Sequence, residues 1–191
     1  MAEKLFIDAQ RLLDDSYALG LQILDSGFHP DFIVGVWRGG TPVGIAVQEL
    51  LDYFGVVTDH IAIRTSSYTA IGERSFNIRV HGLNYIVKNV NAENSLLIVD
   101  DVWDTGLSIQ AVIQHLREES RRNTPDDIRI ATAYYKPGNN RTDLAPDYFV
   151  HETERWLVFP HELHGLTREE ILKHKVTGAS LRQRLMTEAA Q

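Results

Sequence analysis

Residues 96–108 read LLIVDDVWDTGLS. The apolar run Leu96–Val99 has the length and composition of a strand covered on both faces. An apolar stripe at helical spacing, Ile109, Val112, Ile113 and Leu116, begins immediately afterwards. Between strand and helix stand three carboxylates, Asp100, Asp101 and Asp104, and the short polar loop Thr105, Gly106, Leu107, Ser108. Ionised carboxylates are not left unpaired in a core. The stretch therefore reads as the carboxyl end of a buried strand feeding a helix N-terminus. Side chains alternate along a strand, so Asp100 and Asp101 are predicted to point to different sides of the sheet.

The rest of the chain repeats this arrangement. A helix is predicted from near Asp8, its N-cap, to Gly27, its stop. DFIVGV (31–36) is a second buried strand, WRGG (37–40) follows, and TPVGIAVQELLDYFG (41–55) opens a helix. Thr41 is the predicted N-cap and Pro42 the first helical residue, with Val43, Ala46, Val47, Leu50, Leu51 and Phe54 on one face. A strand is read over 57–64 and a polar stretch over Thr65–Ser75. FNIRVHGLNYIV (76–87) then reads as an antiparallel excursion, and IRIATAYY (128–135) as a strand. YFV and WLVF are short strand candidates, Thr167–Glu170 is a capping-box pattern, and the tail from Ser180 is predicted helical.

This order predicts an α/β fold: a mainly parallel, twisted sheet flanked by helices. No repeat or linker divides it, so residues 1–191 are read as one domain with a core over about 31–162. Parallel sheets collect ligands at the carboxyl ends of their strands. WRGG and DDVWDTGLS both fall at that edge.

Composition narrows the function classes. The formal net charge of −7 argues against binding nucleic acid through phosphate neutralisation. It leaves room for a small phosphorylated ligand held by local N–H groups and a cation. The absence of cysteine excludes disulfides and thiolate metal sites and suits a cytoplasmic protein. No apolar run reaches membrane-spanning length, and MAEKLFIDAQ has no leader pattern, so no membrane association is predicted. The eight histidines lack ligand spacing.

Taken singly, each candidate has a plain reading: Asp104 or Thr105 caps a helix, Arg38 is a surface charge, Trp156 is core. Together, three acids, a glycine and two hydroxyls at a helix start make an anion pocket beside carboxylates able to meet hydroxyls or a divalent cation. No GxxxxGK[ST] or GxGxxG pattern is present.

LLIVDDVWDTGLS resembles the phosphoribosyl-diphosphate signature of the type I phosphoribosyltransferases, and VGVWRGGTPVG (34–44) resembles that family's pyrophosphate loop. SSY (66–68) opens a stretch placed like its mobile catalytic loop. YYKPG and PDYFVHETERWLVFPHE resemble the base-binding region of the 6-oxopurine branch, the hypoxanthine-guanine and xanthine-guanine enzymes. The resemblance spans about Ile33–Glu162 and implies that family's fold, with a small hood formed by the terminal segments. It implies that Asp100 and Asp101 engage the ribose hydroxyls and Mg²⁺, directly or through water, and that Asp104 is the acid–base group near purine N7. Thr105, Gly106, Leu107 and Ser108 would hold the 5-phosphate. Arg38 and Gly39 would bind pyrophosphate beside an often cis peptide at Trp37–Arg38. Ser67 and Tyr68 would close over the reaction centre, Lys136 would meet the 6-oxo group, Trp156 would stack on the base, and Leu157 would offer backbone groups to its edge.

The implied reaction transfers the phosphoribosyl group of phosphoribosyl diphosphate to hypoxanthine or guanine, and to xanthine in some members, in purine salvage. The implied assembly is a homodimer or homotetramer. Departures from the pattern are Leu107, Ser108 for the commoner Thr, and His161 where Trp is frequent; the segment from Leu163 matches nothing in it. The competing readings are a ligand-sensing regulator on the same fold and a transferase for another nucleobase.

Overall fold

The computed structural model describes residues 3–69, 76–175 and 178–187. In chain order the elements are β1 (Lys4–Phe6), α1 (Ala9–Asp25), β2 (Phe32–Trp37), α2 (Gly40–Tyr53), β3 (Asp59–Thr69), β4 (Phe76–His81), α3 (Asn84–Asn89), β5 (Ser95–Trp103) and α4 (Leu107–Ser120). They continue with β6 (Asp127–Tyr135), β7 (Tyr148–Glu152), β8 (Trp156–Val158), α5 (Arg168–His174) and α6 (Ala179–Thr187). The chain divides into two compact units, Leu13–Glu154 and a smaller one built from the chain ends up to Leu12 and from Arg155.

In the larger unit six strands form one sheet, ordered β4-β3-β2-β5-β6-β7. Every neighbouring pair is parallel except β3 with β4. The predicted α/β class is therefore present. Helix α2 packs on β2 and β5. On the opposite face Val34, Val36, Ile98 and Ile130 of the sheet meet Ile86 of α3 and Val112, Ile113 and Leu116 of α4 in one buried cluster. Leu96–Val99 are fully buried, as a strand covered on both faces requires. Near α1, a buried polar cluster crosses to the sheet: Asp15 accepts from Tyr134 Oη at 3.0 Å and pairs with His151 Nε2 at 2.7 Å.

Several local expectations change. Helix α1 starts and stops where predicted: Arg11 N–H donates to Asp8 Oδ1 at 2.8 Å, and Gly27 takes φ +74°. Helix α2, however, begins at Gly40 with Gly39 at the N-cap and no side-chain cap, so Thr41 lies inside the first turn. Of its predicted face, Val43, Ala46, Val47 and Leu51 are buried but Phe54 is exposed. The polar stretch predicted from Thr65 is strand as far as Thr69, because β4 pairs with it antiparallel from Arg64↔His81 to Thr69↔Phe76. The excursion after β4 ends in the short helix α3 rather than in strand. Residues 70–75 of the predicted catalytic loop lie outside the described residues.

In the smaller unit β1 and β8 pair in parallel, with Leu5 opposite Leu157. Strand β1 has no counterpart in the sequence reading, because three residues carry too little alternation to register. Thr167 forms the predicted capping box: Glu170 N–H donates to Thr167 Oγ1 at 3.2 Å and Thr167 N–H to Glu170 Oε2 at 2.8 Å. Among the described residues, no helix is long and apolar enough to cross a membrane.

Candidate functional site

Three loops leave the carboxyl ends of adjacent strands β2, β5 and β6, and the larger unit's candidate residues sit on them. The first follows β2. The Trp37–Arg38 peptide is cis, Arg38 is exposed, and its carbonyl accepts the Thr41 N–H at 3.2 Å. The loop is seated on the end of β5. A Cβ on Gly39 would fall 1.6 Å from Asp101 Oδ2, and one on Gly40 would fall 2.4 Å from the Val99 carbonyl oxygen and 2.9 Å from Asp100 Oδ1. A side chain at Gly39 would thus displace the Asp101 carboxylate, and one at Gly40 would collide with the β5 backbone. Asp101 abuts Gly39 and Asp100 abuts Gly40, so both carboxylates border the two-glycine loop.

Asp100 and Asp101 are coupled electrostatically as well. Asp101 N–H donates to Asp100 Oδ1 at 2.9 Å. The Asp100 carboxyl is nevertheless held well above the usual carboxylate range, first by desolvation and then by the neighbouring Asp101 charge. Hydrogen bonds from the Asp101 and Gly40 backbones oppose that rise without cancelling it.

The second loop runs from Trp103 into α4. Gly106 is the N-cap with φ +77°, a left-handed conformation, and α4 has no side-chain cap and no acidic residue in its first turn. Its N-terminal N–H groups and partial positive charge can thus attract an anion. Thr105 Oγ1 lies 3.5 Å from the Leu107 N–H. Trp103 is buried beneath the loop, and a Cβ on Gly106 would fall 2.5 Å from its Cζ2. Asn140 Oδ1 accepts from Trp103 Nε1 at 3.2 Å, and Arg141 N–H donates to the Thr105 carbonyl at 3.0 Å. The loop after β6 is thereby stitched onto the loop after β5.

That third loop carries Lys136, only 8% exposed, with its N–H on the Trp103 carbonyl at 2.9 Å. Its Nζ lies 3.5 Å from Asp104 Oδ2, while Asn139 Nδ2 donates to Asp104 Oδ1 at 2.8 Å. Asp104 remains half-exposed and open to a ligand.

The structure thus brings together Arg38, Gly39, Asp100, Asp101, Asp104, Thr105, Gly106, Leu107, Ser108 and Lys136 on neighbouring loops of one unit. Ser67 and Tyr68 lie on β3, opposite Ile78 and Asn77 of β4. Trp156 and Leu157 belong to the smaller unit, on β8, Trp156 60% exposed and Leu157 buried. Sequence reasoning did not single out Asn139 as a partner of Asp104, nor Glu154, whose Oε1 accepts the Gly138 N–H at 2.8 Å. The available signal was KPGNN, a turn-forming run at the end of a third buried strand.

Adjacent carboxylates, one of them disfavoured in its ionised form, fit a divalent cation. No cluster of three or more potential ligands exists among the described residues. A hard cation that keeps most of its waters and takes one or two carboxylates plus substrate phosphates needs no such cluster. The donor set accordingly suits Mg²⁺.

A mainly parallel sheet whose carboxyl edge sets a helix N-terminus without a side-chain cap beside two carboxylates defines an α/β protein of the kind that gathers its ligand at that edge. Within that class, the chain belongs to the family of the phosphoribosyl transferase domain, whose model matches residues 6–165. Among solved structures it is similar to a purine phosphoribosyltransferase from Pyrococcus horikoshii, with 28% identity over 86% of this chain and 97% of that one and a TM-score of 0.65. A Neisseria gonorrhoeae protein solved with bound ppGpp shares the fold, with 17% identity, 100% and 99% coverage and a TM-score of 0.72. So does the xanthine-guanine-hypoxanthine phosphoribosyltransferase of Helicobacter pylori, with 20% identity, 82% and 92% coverage and a TM-score of 0.64. A search of curated proteins gives no match to this chain. The type I phosphoribosyltransferase resemblance is borne out, and the coarse activity of the chain is phosphoribosyl transfer.

Proposed function

We propose that the protein transfers the phosphoribosyl group of phosphoribosyl diphosphate to a 6-oxopurine, hypoxanthine or guanine with xanthine as a further substrate, releasing pyrophosphate in cytoplasmic purine salvage. The observation that carries the purine assignment is the buried Lys136 ammonium beside Asp104. An ammonium has only hydrogens to offer, so it pairs with a 6-oxo oxygen and opposes the hydrogens of a 6-amino group. Leaving such a donor unpaired costs about 1–3 kcal/mol, enough to discriminate adenine.

The roles follow from chemistry at each loop. The uncapped start of α4, with Thr105, Gly106, Leu107 and Ser108, holds the 5-phosphate. Arg38 and the Gly39 N–H hold the departing pyrophosphate in charge-assisted contacts. Asp100 and Asp101 orient the ribose hydroxyls and hold Mg²⁺, directly or through water. When bound, Mg²⁺ neutralises charge on the leaving diphosphate. Asp104, beside purine N7, takes the proton the base loses there as the other imidazole nitrogen bonds to the anomeric carbon and pyrophosphate leaves. Trp156 stacks on the ring and Leu157 offers its backbone to the base edge. Ser67 and Tyr68 close over the reaction centre, keeping water from the activated sugar. We read the chain as one functional domain, assembled as a homodimer or homotetramer.

The bound ppGpp of the gonococcal neighbour favours, as a second reading, a nucleotide sensor on this fold. One assay separates the two: hypoxanthine, guanine, xanthine, adenine and uracil are each supplied with phosphoribosyl diphosphate and Mg²⁺, and pyrophosphate release is followed. Turnover with 6-oxopurines is expected. Tight binding of phosphoribosyl diphosphate or ppGpp without turnover of any base assigns the sensor instead.

A further inference from the structure

Asp104 is held by two donors of different kinds. Lys136 Nζ stands 3.5 Å from Oδ2, while the Asn139 amide donates to Oδ1 at 2.8 Å. The first is a long, weakly directional contact to a point charge. The second is a hydrogen bond of ordinary length that fixes the plane of the carboxylate. The proposed reaction also gives Lys136 a second task, because its ammonium must turn to the 6-oxo group of the incoming base. Asn139 has no such competing duty.

The amide is presented from a short turn, Pro137–Asn139, that is anchored on both sides. Lys136 N–H donates to the Trp103 carbonyl at 2.9 Å, so the turn is tied to the residue just before Asp104. Asn139 N–H donates to the Lys136 carbonyl at 3.1 Å. Gly138 N–H donates to Glu154 Oε1 at 2.8 Å, and a Cβ on Gly138 would fall 2.9 Å from that same oxygen. A neutral donor on such a turn orients Asp104 without supplying a charge that would hold back its uptake of a proton. Accepting one N–H at Oδ1 leaves further lone pairs of the carboxylate for the base.

From this geometry we infer that Asn139 is a positioning residue for phosphoribosyl transfer. It holds the Asp104 carboxylate in its productive orientation while Lys136 is shared with the 6-oxopurine. The inference rests on the reading of Asp104 as the acid–base group.

A double-mutant cycle on the full chain, assayed with hypoxanthine, phosphoribosyl diphosphate and Mg²⁺, tests it. Asn139→Ala is expected to lower kcat about three- to tenfold, the range of one hydrogen bond, with KM for phosphoribosyl diphosphate unchanged. Asn139→Asp, which loses the donor and sets a like charge beside Asp104, lowers kcat further, and Asn139→Gln recovers part of it. In the Asp104→Asn background, Asn139→Ala produces no further loss. An equal fold-loss in both backgrounds, or an effect confined to KM, overturns the inference and returns Asn139 to loop architecture. Asp104→Asn alone reports on the underlying reading: if kcat is unaltered there, the acid–base assignment fails and the inference falls with it.

Discussion

Asp101 occupies the space where a side chain on Gly39 would be: an added Cβ would lie 1.6 Å from Oδ2 and 2.1 Å from Cγ of its carboxylate. Two loops whose contacting residues are 62 apart in sequence are thus fitted to each other by an absent methyl group. Gly40 repeats the relationship against the backbone of β5, where the nearest atom is the Val99 carbonyl oxygen.

The two glycines are therefore expected to respond differently to alanine. In Gly39→Ala the colliding atoms belong to a side chain that can rotate away, so the fold survives while the carboxylate is displaced. Affinity for phosphoribosyl diphosphate with Mg²⁺ should fall by about tenfold or more, the effect of one misplaced charged contact. In Gly40→Ala the collision is with backbone, and stability should drop by about 1–3 kcal/mol. Titration calorimetry and thermal melts of both variants check the contrast; equal melting temperatures would count against it.

Asp100 gives a pH dependence whose sign can be worked out. Its folded-state pKa is raised, by desolvation and by Asp101, so the folded chain binds the proton more tightly than the unfolded one. The stability tied to that proton is present below the ordinary carboxylate value of about 3.9 and is lost as pH rises toward the folded value. Ligand-free Asp100→Asn should accordingly melt above the wild type at neutral pH, with the gap closing on acidification. Mg²⁺ with phosphoribosyl diphosphate should stabilise the wild type more than the variant. A variant that melts lower at neutral pH would show that the carboxylate stabilises the fold.

For Lys136→Ala the readout is discrimination. The ratio of kcat/KM for hypoxanthine over adenine should fall by about tenfold or more, because the donor that opposes a 6-amino group is removed. A fall in activity toward both bases at a constant ratio would reduce Lys136 to a counter-ion of Asp104.

Gly106 and Gly27 both adopt positive φ, +77° and +74°. A Cβ on Gly106 would meet Trp103 at 2.5 Å and Thr142 Oγ1 at 2.8 Å, whereas one on Gly27 would meet nothing within 4 Å. Gly27→Ala should cost about 1–2 kcal/mol for the backbone alone. Gly106→Ala should cost about 2 kcal/mol more through crowding, lowering Tm by roughly a further 4–8 °C. Equal shifts would remove the packing argument for the phosphate loop.

The sequence alone determined what short-range physics can write into it. Buried strands announced themselves as apolar runs, α1 by Asp8 and Gly27, α5 by its capping box, and the phosphate loop by contiguous residues, since a helix N-terminus is built from one stretch of chain. The tertiary structure decided what depends on distant segments meeting. Only pairing with β4 turns Thr65–Thr69 into strand, and only pairing with β8 makes a strand of Lys4–Phe6. That Asp100 and Asp101 both border the Gly39–Gly40 loop depends on β2 and β5 being neighbours in the sheet. Asn139 was invisible for the same reason. Its bond to Asp104 joins residues 35 apart in sequence, brought together because β5 and β6 are parallel neighbours whose loops leave the same edge.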